Sequence, residues 1–103
     1  MKSINYKRED IIRKVGDKLN LTNDEMKLIL ETTLDTMAEI LTGNHSRIRI
    51  ELRNFGIFEV KPTKAKPKAR NPKTNEVVFV PPRRKIHFKP GKIIRQELQQ
   101  EWS

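Results

Sequence analysis

The chain has no cysteine among its 103 residues. That excludes a disulfide framework and thiolate chemistry, and leaves the redox compartment open. Its four glycines form no run resembling a phosphate-cradling loop. No apolar stretch approaches the roughly 18–20 residues of a membrane-spanning helix. The first residues lack the apolar centre of a signal peptide, so the expectation is a cytoplasmic protein. The only histidines, His45 and His87, stand in a loop and on a strand, without metal-ligand spacing. Ser3, Ser46 and Ser103 lie in no motif that would activate a hydroxyl. The acid pair Asp24-Glu25 fits the first turn of a helix, where the dipole favours it without any further role. The expectation is therefore no catalytic residue, no metal, no cofactor and no small-molecule substrate: a protein that is not an enzyme.

What the chain has in excess is positive charge, net +9, unevenly placed. Residues 1–46 hold seven Lys or Arg against eight Asp or Glu, whereas residues 47–103 hold fifteen against five. A near-neutral scaffold followed by a polyanion-binding half is the natural reading. Between Lys61 and Arg95 there are twelve Lys or Arg and a single acid, Glu76. Lys64, Lys66, Lys68 and Arg70 fall at every second position, which on an extended strand places them on one face. Like charges on one face repel, and a polyanion laid along them would relieve the repulsion and release its own counterions. Nucleic acid is the leading partner. A solvated Lys/Ala/Pro linker is the plain alternative, and a module for RNA or other polyanions is another. An anionic membrane surface fits less well, because the basic half has no amphipathic helix with an apolar face large enough to insert.

Ile11, Ile12, Val15 and Leu19 recur at helical spacing, predicting a helix near residues 7–19 with Asn5 as a candidate cap. Thr22 and Glu25 have capping-box spacing, opening a second helix that runs to about Leu41. Its apolar stripe is wider than packing on one short helix requires, which implies a second subunit. From Arg47 to Leu52 the period becomes two, a half-buried strand. Arg53-Asn54 turns the chain into a second strand over residues 55–60. Pro62 and Pro67 cannot donate to a ladder, so the limb beyond must be an edge or a free ribbon. Residues 77–80 form the return, Pro81-Pro82 a bend, and Arg83 to Phe88 the way back. Pro90 is expected in the first turn of a last helix, with Ile93, Ile94 and Leu98 inward and Trp102 packing at its end. Residues 1–103 thus read as one domain, with a body of residues 1–60 and 86–103 and an arm of residues 61–85.

Two features carry recognition. At the arm tip Pro72 is either a turn former after Asn71 or a rigid apolar wedge for a base step, flanked by Arg70 and Lys73. At Phe88-Lys89-Pro90-Gly91-Lys92 a helix N-terminus opens beside two lysines, a seat for phosphate or simply a cap. Arg53-Asn54-Phe55-Gly56-Ile57-Phe58, Ala69-Arg70-Asn71-Pro72-Lys73-Thr74 and Phe88-Lys89-Pro90-Gly91-Lys92 together resemble the bacterial HU/integration host factor family of DNA-bending proteins. The resemblance runs from the first helix to about Leu98. It implies an α+β fold: two N-terminal helices, a three-stranded sheet extended into a β-ribbon arm, and a short C-terminal helix, in an intertwined dimer of the nucleoid. It implies double-stranded DNA as partner and a homodimer, or a heterodimer with a paralogue. Pro72 would intercalate, with Arg70, Asn71 and Lys73 in the minor groove and Lys64, Lys66 and Lys68 as arm charge. Lys89, Lys92, Arg83 and Arg84 would bind phosphate, and Phe55, Phe58 and Phe88 would form the aromatic core at the dimer interface. Glu51 and Arg53 resemble residues that take part in sequence-selective binding in one integration host factor subunit; the alternative is a solvent-side pair. Asn75 stands where the family usually has glycine, and asparagine tolerates the left-handed backbone its turn needs; Asn54 replaces another frequent glycine.

Overall fold

A computed structural model describes residues 3–64 and 66–102; the side chains of residues 66–70 and 78–80 lie outside the described part. The elements run α1 (Arg8–Leu19), α2 (Asn23–Leu41), β1 (Ile48–Leu52), β2 (Gly56–Pro62), β3 (Lys66–Arg70), β4 (Val77–Val80), β5 (Arg84–Pro90) and α3 (Lys92–Gln99). They fall into two compact units, Met1–Ile40 and Leu41–Ser103.

In the first unit each helix end has an identifiable cause. Lys7, not Asn5, is the N-cap of α1. Its N–H donates to Asp10 Oδ2 at 2.8 Å. Lysine offers no acceptor in return, so only the carboxylate half of a capping box forms. α1 stops where Asn20 turns left-handed at φ 59°, and the Gly16 carbonyl accepts the N–H groups of Asn20 and Leu21. A Cβ on Gly16 would sit 3.3 Å from the Leu21 carbonyl oxygen, so glycine lets the chain double back closely. The expected box then opens α2: Thr22 Oγ1 accepts the Glu25 N–H at 3.2 Å, and Glu25 Oε1 accepts the Thr22 N–H and hydroxyl. Ile12, Gly16 and Met26 are buried.

Much of the α2 apolar surface is not covered within the chain: Leu30, Met37 and Leu41 are half-buried, but Leu28, Ile29, Leu34 and Ile40 are exposed. Thr33 and Thr36 turn their hydroxyls back onto the carbonyls of Ile29 and Thr32, at 2.7 and 2.8 Å. Their methyl groups are thus what this side of the helix presents.

The second unit is a three-stranded antiparallel sheet of order β1-β2-β5, followed by α3, with a separate antiparallel pair β3-β4. β1 and β2 are joined by a turn in which Phe55 N–H reaches Leu52 O at 2.9 Å and Asn54 takes φ 68°. Phe55, expected on the strand, belongs to this turn, and the sheet begins at Gly56. Gly56 faces Leu52 on one side and Pro90 on the other. Pro90 therefore ends β5 instead of entering the helix. The helix N-cap is Gly91, whose N–H donates to Phe55 O at 2.8 Å and so fixes where the strand stops.

Register sorts the sheet into two faces. Ile48, Ile50 and Leu52 align with Val60, Phe58 and Gly56, and these with Ile86, Phe88 and Pro90. The Phe88 ring lies 4.8 Å from that of Phe58 and 5.6 Å from that of Phe55. Among the described residues only Val60 is a buried hydrophobe in this unit, while Phe55 and Phe88 stay exposed. α3 is likewise uncovered within the chain. Ile94 is half-buried, but Ile93, Leu98 and Trp102 are exposed, Trp102 to 82%. The expected inward packing of these residues is not made inside one chain.

Candidate nucleic-acid interface

The opposite face of the sheet is polar. Arg49 and Glu51 of β1, Ile57, Glu59 and Lys61 of β2, and Lys85, His87 and Lys89 of β5 share it. Glu59 stands at its centre, between Arg49 and His87 in the cross-strand register. Its Oε1 is 3.2 Å from Lys61 Nζ and 3.3 Å from Lys89 Nζ, and its Oε2 is 3.7 Å from Arg49 Nε. The Lys61 ammonium is the main cause that holds the Glu59 carboxyl below its ordinary range; desolvation opposes it and ranks next, and Lys89 adds to the lowering. Two lysines, Lys61 and Lys85, are directly opposed across the strands. Like charges in that arrangement are destabilising. Arg49 also pairs with Glu51 at 3.3 Å.

Beyond the last rung, Pro62 with Arg84, the chain leaves the sheet for the ribbon. Thr63 fastens this root. Its N–H and hydroxyl both donate to Arg83 O, at 2.6 and 3.0 Å, and its Oγ1 accepts the Arg83 N–H at 2.9 Å. In the ribbon Lys66 pairs with Val80, Ala69 with Val78 and Arg70 with Val77, with a register step between Lys66 and Ala69. The period of two from Lys64 to Arg70 is thus interrupted in the backbone. The side chains of Lys66, Lys68 and Arg70 lie outside the described part.

The tip is a closed turn. Asn71 N–H reaches Glu76 O and Asn75 N–H reaches Asn71 O, each at 2.7 Å. Asn71 Oδ1 accepts the Lys73 N–H at 3.0 Å. Asn75 adopts φ 61°, a left-handed conformation that asparagine tolerates. Asn71 is spent on the turn's own backbone. That leaves Pro72 and Lys73 exposed at the tip.

The remaining candidates divide. Lys64, Arg83 and Lys92 are exposed. Lys92 opens α3, where free N–H groups and the dipole favour an anion. Lys89 is exposed but paired with Glu59. Arg84 is different: its Nη1 donates to the carbonyls of Gly43 and His45 at 2.7 and 2.9 Å. Arg53 is exposed in its turn, beside Glu51. The sequence reading counted Lys61 and Lys85 only as charge of the basic stretch, and left His87, Arg49 and Glu59 out of the site. Alternation on each strand was visible, but the pairing of β2 with the distant return limb was not. Among the described residues no group of three His, Cys, Asp or Glu gathers to hold a metal. No helix among them is long and apolar enough to cross a membrane.

Comparison with known proteins gives one consistent result. A family model described as bacterial DNA-binding protein matches residues 6–99. The chain is 36% identical over 91 residues to integration host factor subunit alpha of Hydrogenovibrio crunogenus, covering 88% of this chain and 90% of that protein. It is 32% identical over 92 residues to DNA-binding protein HU of Thermotoga maritima, covering 89% and 98% respectively. Among solved structures, an Anabaena HU–DNA cocrystal matches with a TM-score of 0.78 and 29% identity, over 93% of this chain and all of that one.

Proposed function

We infer that this chain, which belongs to the bacterial DNA-binding protein family, is an architectural protein that binds duplex DNA and bends it. The observation that carries this reading is the polar sheet face, where Lys61 opposes Lys85 and a single carboxylate, Glu59, is shared by Arg49, Lys61 and Lys89. That face continues through a proline-rich root into a ribbon tipped by Pro72. An arrangement with more cations than it can neutralise internally is completed by a polyanion.

In this reading residues 61–85 form the arm and the rest of the single domain is the body. Lys61, Lys85, Lys89, Lys92 and Arg83 neutralise phosphates along the flank. Lys64, Lys66, Lys68 and Arg70 do so along the arm. Pro72 enters a base step from the minor groove, with Asn71 and Lys73 beside it. Unstacking a step costs a few kcal/mol, offset by the flank contacts the bent duplex then gains. Glu51 near the end of β1 and Arg53 in the turn after it would take whatever part base selection plays, while phosphate neutralisation and DNA deformability set most of the affinity. No step of this function needs a cofactor, a metal or a bond made or broken by the protein. The protein works as a homodimer in the bacterial nucleoid. What supports the dimer is the apolar surface left open in one chain: Leu28, Ile29, Leu34 and Ile40 on α2, and Phe55 and Phe88 on the sheet. Among the described residues the buried hydrophobes are Ile12, Met26 and Val60, a thin core for one chain.

The test is a gel-shift titration on intact, nicked and pre-bent duplexes of random sequence at two salt concentrations. Tighter binding to the distorted duplexes, with log–log salt slopes of several units at about 0.9 per phosphate, is the expected result. Binding indifferent to distortion and to salt would defeat the reading.

A further inference from the structure

We infer that Arg84 is a positioning residue: it sets the direction in which the arm leaves the sheet and does not contact phosphate. The inference rests on the DNA-bending reading above only for its consequence on DNA; its structural basis is separate. Arg84 occupies the last rung of β2-β5, opposite Pro62. By strand alternation it shares the face of Ile86 and Val60, away from the face of Lys61, Lys85 and Lys89. Its guanidinium is already committed, one nitrogen serving two carbonyls of the loop that follows α2, Gly43 at 2.7 Å and His45 at 2.9 Å.

The reason a side chain is needed here lies in the sequence. Pro62 and Pro82 flank the root, and neither has an N–H to give to a ladder. Backbone pairing therefore weakens where the ribbon must keep its heading. Two side chains take over: the Thr63 hydroxyl, bonded to both the N–H and the carbonyl of Arg83, and the Arg84 fork. The Gly43 carbonyl also accepts the His45 N–H at 2.9 Å, so the loop Arg84 grips is itself closed. A charge-assisted bond from a planar guanidinium is the strong, directional kind, and the lysine ammonium, one bond shorter in its reach than Nη1, does not arrive at the same point.

Two measurements test this. In the free protein, amide hydrogen exchange at His45 and Thr63 is compared with that at Ile50 and Phe58. Arg84→Met, which keeps the stem and removes the donors, should speed the first pair about tenfold relative to the second, the scale of losing a charge-assisted bond. Arg83→Met should leave the ratio unchanged. An Arg84→Met ratio equal to wild type overturns the inference. On DNA, Arg84→Lys should lower energy transfer between dye-labelled duplex ends while its salt slope stays at the wild-type value. Wild-type bending by Arg84→Lys, with a slope reduced by about 0.9 in Arg84→Met, would make Arg84 a phosphate contact instead. A wild-type protein that binds without bending would defeat the bending reading, and the exchange ratio would then decide the role of Arg84 alone.

Discussion

Gly56→Ala places one carbon where the sheet has no room for it. The added Cβ would lie 2.6 Å from the Lys89 carbonyl oxygen and 2.6 Å from two atoms of the Phe88 ring. The ring has somewhere to go at the expense of its contact with Phe58, but the Lys89 carbonyl is part of the β2-β5 ladder and moves only if the strands separate. Overpacking of this kind costs about 1–3 kcal/mol. The smaller unfolded-state entropy of alanine returns about 0.5–1 kcal/mol. A net loss of about 1 kcal/mol lowers the melting temperature of a chain this size by about 4–8 °C. The assay is thermal unfolding at fixed protein concentration, because a dimer's midpoint depends on concentration. Adding Phe88→Leu removes the ring clash and leaves the carbonyl clash, so the double variant should fall short of the sum of the single losses. A Gly56→Ala melt within about 2 °C of wild type would refute the packing argument. So would strict additivity.

Pro72→Ala should lower energy transfer between duplex ends more than it lowers affinity, since phosphate contacts survive the loss of a wedge; equal bending by both proteins would sink the wedge. Asn54→Ala should cost about 1 kcal/mol in urea unfolding, because the residue is held at φ 68°, where a Cβ without local hydrogen bonding is penalised, whereas Asn54→Gly should be near neutral. Lys92→Ala should weaken binding on every duplex and reduce the salt slope by about 0.9, and an unchanged slope would remove it from the phosphate set. Glu59, whose carboxyl is held below its ordinary value of 4.5 by Lys61 and then Lys89, contributes stability at neutral pH that is lost as pH falls through its folded titration. Urea midpoints of wild type should therefore drop on acidification more than those of Glu59→Gln, and parallel curves would contradict that pairing.

Much of the architecture was legible because it rests on local chemistry. The Thr22–Glu25 box, the change of period at Arg47, and the tolerance of asparagine for a left-handed turn at position 75 each act over a few residues, and each is found. Errors arose where the deciding contact came from elsewhere. Asp10, not Asn5, starts α1 by capturing the Lys7 N–H. Pro90 stays in the strand because Gly91 is bonded to Phe55, far back in the chain. Trp102, Leu98 and Ile93 read as packing residues, and hydrophobicity alone does not say whether the cover is supplied by the same chain. Arg83 and Arg84 were indistinguishable in sequence. Both are exposed, and only the β2-β5 register and the bonds to Gly43 and His45 set Arg84 apart.

The two faces of the sheet are incomplete in complementary ways. On one, Phe55 and Phe88 stack in contact yet remain exposed, an arrangement that apolar burial by a second subunit would finish. On the other, Lys61 and Lys85 are opposed, and Glu59 is divided among three cations. A stable isolated protein gains nothing from either defect. Replacing Lys85 by glutamate would pair it with Lys61 and relieve the sheet at once. That so simple a relief is absent fits a face whose missing charge arrives with the ligand, and the same substitution should strengthen the sheet while weakening its hold on DNA.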